Sequence, residues 1–243
     1  MKLLVDTHTH SLLSGHAYST VFENLTVAAE RNLEGLVITE HCGDMPGIHF
    51  PAALTFLRHL PEEHYGVKLF RGVESNIVSW EGKIDVPERF FPLLQFVIAS
   101  LHEVMLPIGN KIQNTEAMLS ALNNPYVDIL GHPGNPVYDV DKETVVKEAK
   151  RLGKMLEFNS HSFEARPGSE PNCREMLRLC KKHEVHICVG SDSHICFTVG
   201  DFTEAITVIE EEGFPEELIT SRSIETFQAY LNTREARLAN IQS

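Results

Sequence analysis

Short runs of aliphatic and β-branched residues recur along the chain, each followed by a polar or glycine-containing loop. Residues 3–5, 36–39, 68–73, 96–99, 127–130, 155–158 and 185–189 read as strands. Helical patterns separate most of them. Residues 22–31 place Leu25, Ala28 and Ala29 on one face behind a possible Thr20 cap. Further helices are expected over 117–122, over 143–152 and, after Pro171, over 172–182. Asp201-Phe202-Thr203-Glu204 resembles a capping box with an acid in place of serine or threonine. The runs alternate with helices and read as strands buried on both faces, which pair in parallel through βαβ crossovers. Seven such runs with no Pro/Gly/Ser-rich linker predict one α/β domain over residues 1–243: a closed or nearly closed TIM-like barrel with helices outside. Residues 201–243 add peripheral C-terminal helices. The stretch 42–64, with Pro46, Gly47, Pro51 and Pro61, is less regular and reads as a lid or a long crossover.

The polar residues have a direction relative to these strands. His8, His10 and His16 follow the first, Glu40 and His41 the second, and Glu74 the third. His102 follows the fourth, His132 the fifth, Asn159 and His161 the sixth, and Asp192 and His194 the seventh. No comparable set precedes the strands. In a parallel barrel the C-terminal strand ends open onto one face, where active sites form, so these groups should converge. His8 and His10, like Asp192 and His194, are two apart, so an extended strand end points both the same way. Imidazoles mixed with carboxylates suit zinc, manganese or iron better than calcium or magnesium. Taken singly, His49, His59, His64, His183 and His186 read as ordinary surface or core residues.

Composition narrows the function. The 243 residues carry 34 acidic and 21 basic side chains, a formal net charge of −13, which disfavours stable binding to long nucleic acids. No apolar run approaches a membrane span, and the first residues meet Asp6 and His8 too soon for a signal-peptide core. Five cysteines without a CxxC pair argue against a disulfide framework, and a cytoplasmic location is expected. Thirteen histidines are the anomaly. The converging set His8, His10, His16, His41, Glu74, His102, His132, Asp192 and His194 is too large for one ion. Two or three are plausible, three if Glu74 bridges two of them. Three divalent ions would add roughly six positive charges, enough to hold an anionic phosphate on an acidic protein.

Asp6-Thr7-His8-Thr9-His10-Ser11 with His16 resembles the opening motif of the PHP (polymerase and histidinol phosphatase) metal-dependent hydrolases. Thr39-Glu40-His41, Gly72-Val73-Glu74, Ser100-Leu101-His102, Gly131-His132-Pro133 and Gly190-Ser191-Asp192-Ser193-His194 resemble its later motifs in order. Chain length and Glu157-Phe158-Asn159-Ser160 are most similar to the compact YcdX-like phosphatases. That resemblance implies a distorted (β/α)7 barrel with a trinuclear zinc site, and a homo-oligomer, a trimer. It further implies one ion on His8, His10, Glu74 and Asp192, a second on Glu74, His102 and His132, and a third on His16, His41 and His194.

The expected reaction is hydrolysis of a small phosphate monoester by a metal-bound water held by Glu74, Asp192 and His10. Arg166 is a candidate phosphate clamp, and His161 a candidate accessory group or leaving-group acid. A phosphodiesterase or exonuclease on short nucleic acids stays open. So does an amidohydrolase-type C–N hydrolase, although no lysine stands where a carbamylated bridge would be expected. From a different class, the chain would only bind zinc.

Overall fold

The architecture is that of a computed structural model, which describes residues 1–43, 45 and 53–242. In chain order the first elements are β1 (Val5–Thr9), α1 (Val21–Glu30), β2 (Gly35–His41), α2 (Ala53–Phe56), β3 (Glu63–His64), β4 (Val67–Asn76) and β5 (Phe96–Ser100). They are followed by α3 (Lys111–Asn123), β6 (Ile129–Leu130), α4 (Lys142–Leu152), β7 (Met155–Asn159), α5 (Ser162–Ala165), α6 (Glu170–His183), β8 (Ile187–Gly190), α7 (Thr203–Glu211) and α8 (Ile224–Gln242). Strands β1-β2-β4-β5-β6-β7-β8 pair in parallel in that order. The ring is drawn together at one end, where Thr9 bridges Ser193, the His10 N–H donates to Ser193 O (2.8 Å) and the Asp192 N–H donates to His8 O (2.8 Å). All seven expected strands are present, in a TIM-like α/β barrel. The short β3 is additional, antiparallel to β4 and too brief to leave a periodic signal. Between β4 and β5 the crossover carries a 3-10 segment, Glu88–Leu93, in place of an α-helix.

Local sequence sets most helix starts. Thr20 accepts from the Glu23 N–H while the Glu23 carboxylate accepts from the Thr20 N–H, a reciprocal cap. Asn110 and Gln113 do the same for α3. The expected box at Asp201 is not formed. Its carboxylate accepts from Thr203, two residues on, and Glu204 does not reach back to the first turn. The middle of the 42–64 stretch, with His49, lies outside the described residues.

Helices pack on the outside of the ring through residues such as Leu25, Ala28, Val146, Ala149, Met176 and Leu177. A second, inner cluster fills the N-terminal half of the barrel: Val5, Val37, Phe70, Phe96, Ile98, Ile129, Met155 and Cys188. The C-terminal helix, expected at the periphery, turns Phe227 and Leu231 into this cluster and forms its floor. Among the described residues no helix is long and apolar enough to cross a membrane.

Candidate metal centre

Strand parity places the functional side chains. Inward positions on β4 run Phe70, Gly72, Glu74, so two steps above the apolar floor stands a carboxylate. On β7 they run Met155, Glu157, Asn159. On β1 the parity changes. Val5 belongs to the floor, but the register against β2 shifts between Asp6 and Thr9, and His8 and His10 rather than Thr9 reach the centre. Register then makes neighbours: His41 pairs with Glu74 across β2 and β4. Gly190 leaves room for the layer, since a Cβ there would lie 2.4 Å from His8 Cβ and 2.7 Å from Glu157 Oε1. Beyond the strands, His132 (φ 30°) and Asp192 (φ 52°) adopt left-handed backbone conformations, a strain that aims both side chains inward.

Three compact groups result, in each of which one donor atom per residue lies within 4.8 Å of the others: His8, His10, Glu74 and Asp192; Glu74, His102 and His132; and His10, His41 and His194. Glu74 joins the first two with different oxygens. Its Oε2 lies 3.2 Å from His8 Nε2, 3.4 Å from His10 Nε2 and 3.0 Å from His41 Nδ1. Its Oε1 lies 3.4 Å from His102 Nε2 and 3.0 Å from His132 Nε2. Asp192 Oδ1 stands 3.5 Å from His8 Nε2 and 3.3 Å from His10 Nε2. His16 is outside the third compact group but adjoins it, with Nε2 3.0 Å from His194 Nε2 and its ring beside His41. From His8 and His10, fully buried, through half-buried His102 and His194 to exposed His16, the cluster opens to solvent on one side.

Residues around the cluster fix its rings. His8 Nδ1 meets Glu157 Oε1 at 2.7 Å, and Glu157 Oε2 accepts the His132 backbone N–H at 2.6 Å. His102 Nδ1 donates to Asn76 Oδ1, which Asp85 holds through the Asn76 amide. The Ser14 hydroxyl donates to Glu40, so its oxygen accepts from His10 Nδ1–H as well as from the His41 N–H. With Nδ1 committed outward on His8, His10 and His102, Nε2 of each is left for the centre. Nε2 of His8 and His10 and Nδ1 of His41 are buried without a hydrogen-bond partner. Buried nitrogens of this kind are costly, and lone pairs converging on carboxylates fit a divalent cation.

Electrostatics agree. Burial alone would raise the Glu74 carboxyl, but His8, His41 and His102 outweigh it and hold it well below the usual carboxylate range. Burial also opposes positive charge at His8, but Glu157, Glu74 and Asp192 overcome it, so the carboxylates favour at this point a positive charge that either a proton or a metal cation supplies. Burial, followed by the nearby His194, pushes His10 down to about 3.

All nine residues expected from the sequence gather here, His16 at the rim. Arg166 joins them, donating to Asp192 Oδ2 (3.1 Å) and to Ser162 Oγ (3.2 Å). His161 does not join; its ring lies 3.9 Å from Glu164 in a partly exposed loop. Sequence reasoning missed the bracing roles of Glu157, Glu40, Ser14, Asn76 and Asp85. Parity within β7 was the available signal for Glu157.

The comparisons agree with this geometry. No family model matches the chain. A probable phosphatase of Acetivibrio thermocellus is 44% identical over 238 residues, covering 98% of this chain and 99% of its own. The chain belongs to the PHP-type family of metal-dependent phosphatases. A probable phosphatase of Caldanaerobacter subterraneus subsp. tengcongensis is likewise 44% identical, covering 100% of this chain and 96% of its own. Among solved structures, histidinol phosphate phosphatase from Lactococcus lactis, complexed with zinc, L-histidinol and phosphate, shares the fold. Its TM-score is 0.62 at 22% identity, covering 87% of this chain and 94% of its own.

Proposed function

We propose that this PHP-type phosphatase hydrolyses small phosphate monoesters at a trinuclear, zinc-type centre. The observation that carries the reading is Glu74, whose two oxygens face two different histidine sets. His8, His10, Glu74 and Asp192 would hold one ion, and Glu74, His102 and His132 a second. A single inward nitrogen serves one ion, so His10 belongs to the first set and His16 completes the third with His41 and His194. The zinc in the Lactococcus lactis complex supports that choice of metal. Divalent ions in these sets would lower the pKa of a coordinated water and offset phosphoryl charge.

The chain's own contribution is placement. Glu74, Asp192 and His10 frame the position of the attacking water, and Glu157 keeps His8 and His132 aimed at it. Arg166 holds Asp192 with Nη2 and Ser162 with Nη1, and offers its remaining N–H donors to a phosphoryl oxygen. Substrate enters from the side of His16 and His194, where the cluster is exposed.

Protein purified without added metal should contain roughly three zinc ions per chain. It should hydrolyse p-nitrophenyl phosphate much faster than bis(p-nitrophenyl) phosphate and lose that activity to a chelator. One ion or none per active chain would reject the trinuclear centre, and faster diester turnover would reassign the substrate class.

A further inference from the structure

The apolar floor of the barrel is flanked by a cavity of ≈ 540 Å³ on the face opposite the metal centre. Its walls come from the starts of β7 and β8 and from one side of α8, including Met155, Val185, Ile219, Ala229 and Tyr230. That volume is in the range of small-molecule sites, which combine an apolar lining with a few convergent polar groups.

The charged groups here are three basic side chains and two acidic ones. Lys150, Lys154 and Arg222 line the cavity in a chain whose net charge is −13. Lys150 and Arg222 both bear on His186, where burial first and then these two charges keep the imidazole neutral. Lys154 is already engaged, its Nζ donating to the carbonyls of Leu122 and Asn124. Lys150 donates to Glu184 O at 2.7 Å and lies 3.9 Å from the Glu184 carboxylate, and as an ammonium with three donors it can still reach a further acceptor. The Arg222 guanidinium has no hydrogen-bond acceptor or ion-pair partner among the described residues. The acids at the edge, Glu184 and Glu217, are exposed, as is Lys150, so water screens all three, whereas Arg222 is half-buried.

Like charges brought together over an apolar surface require either solvent or an anion between them. We propose that this cavity binds a small amphipathic organic anion, its carboxylate, sulfonate or phosphate head on Arg222 and Lys150 and its flat apolar body against Met155 and Tyr230. Nothing in this assignment depends on the metal centre, which lies at the other end of the strands.

The test uses the metal-loaded enzyme and 2-naphthalenesulfonate, an anion that no phosphatase can hydrolyse, titrated by calorimetry. Saturable binding at one site is expected, and a crystal of the complex should place the sulfonate beside Arg222. The Arg222→Gln variant should bind at least about tenfold more weakly while keeping wild-type phosphatase turnover. Ala229→Trp, which fills the mouth of the cavity, should abolish binding. Neutral 2-naphthol should bind far more weakly than the sulfonate. Equal affinity for 2-naphthol would reduce the cavity to a plain apolar crevice and overturn the proposal. So would unchanged affinity in Arg222→Gln, absence of binding, or density for the sulfonate among the histidines instead.

Discussion

The two ends of the barrel solve the problem of buried charge in opposite ways. At the N-terminal end, buried Asp128 accepts from the Val97 N–H, Tyr230 Oη, Arg234 Nε and Arg237 Nη2, so each of its oxygens is satisfied by protein. Around it lie Phe96, Ile129, Met155 and Phe227, fully or nearly fully buried. At the C-terminal end, Glu74 and Asp192 are just as buried, but three of the nitrogens facing them, on His8, His10 and His41, lack hydrogen-bond partners and two backbones are left-handed. The same strands serve both ends, a few residues apart. A carboxylate satisfied by protein donors marks the end that holds the fold together, although Arg234 Nη2 is left without a partner there, and converging, unpartnered imidazole nitrogens mark the end that does chemistry.

The sharpest break in this contrast comes from Glu74. Glu74→Ala removes the group shared by two ligand sets, so turnover should fall at least about a thousandfold, roughly 4 kcal/mol of barrier. Bound zinc should fall with it, while circular dichroism stays native. Retained activity would show that the shared carboxylate is not central. The matching change at the floor is Phe227→Ala, which empties a fully buried ring site under β4 and β5. Urea denaturation should show a loss of about 3 kcal/mol, with kcat of the folded enzyme unchanged. If instead kcat fell while stability held, the division between the ends would be wrong.

Much of this division is written in the sequence, though not evenly. The seven strands are legible because each is a short run rich in aliphatic and β-branched residues, bounded by polar or glycine-containing loops. The site is legible because every chemistry-bearing residue follows such a run, and parallel pairing sends those ends to one face. Glu157 escapes that logic: its partners His8 and His132 are distant in the chain, and only β7 parity hints that it points inward. His8 is legible as a ligand, but not its place inside β1, where the register shift decides which residues face in. The floor contribution of α8 was not legible either, since Phe227 and Leu231 look like any amphipathic stripe until the barrel is closed above them.

Glu157 gives an intermediate prediction. Glu157→Gln replaces one of the two oxygens that orient His8 and His132, without touching a predicted ligand atom. Activity or zinc affinity should fall about 10- to 100-fold, as is usual for residues that orient metal ligands. A zinc titration alongside kcat would distinguish this from a structural effect, because a merely structural role would lower stability and leave metal affinity in the folded fraction intact.

The smallest effect belongs to the saturated end. Burial, with Arg237 next, pushes the Lys154 amine down to about 7 from 10.5. Below about pH 7 both folded and unfolded chains carry the proton, so the folded state bears the full cost of burying it. Above that, the unfolded chain keeps the proton up to the ordinary lysine range and the folded one releases it. Stability should therefore rise with pH through this window, by about 1 kcal/mol between pH 7 and 8. Lys154→Met should abolish this increment, because nothing titrates at that position. The substitution also strands the Leu122 and Asn124 carbonyls that the amine occupies, so the variant should be less stable at pH 8 than the parent. Urea midpoints at the two pH values, compared between parent and variant, isolate the difference. A slope that survives Lys154→Met would mean that the amine is satisfied as a cation, and that saturation by carbonyls at this end outweighs burial.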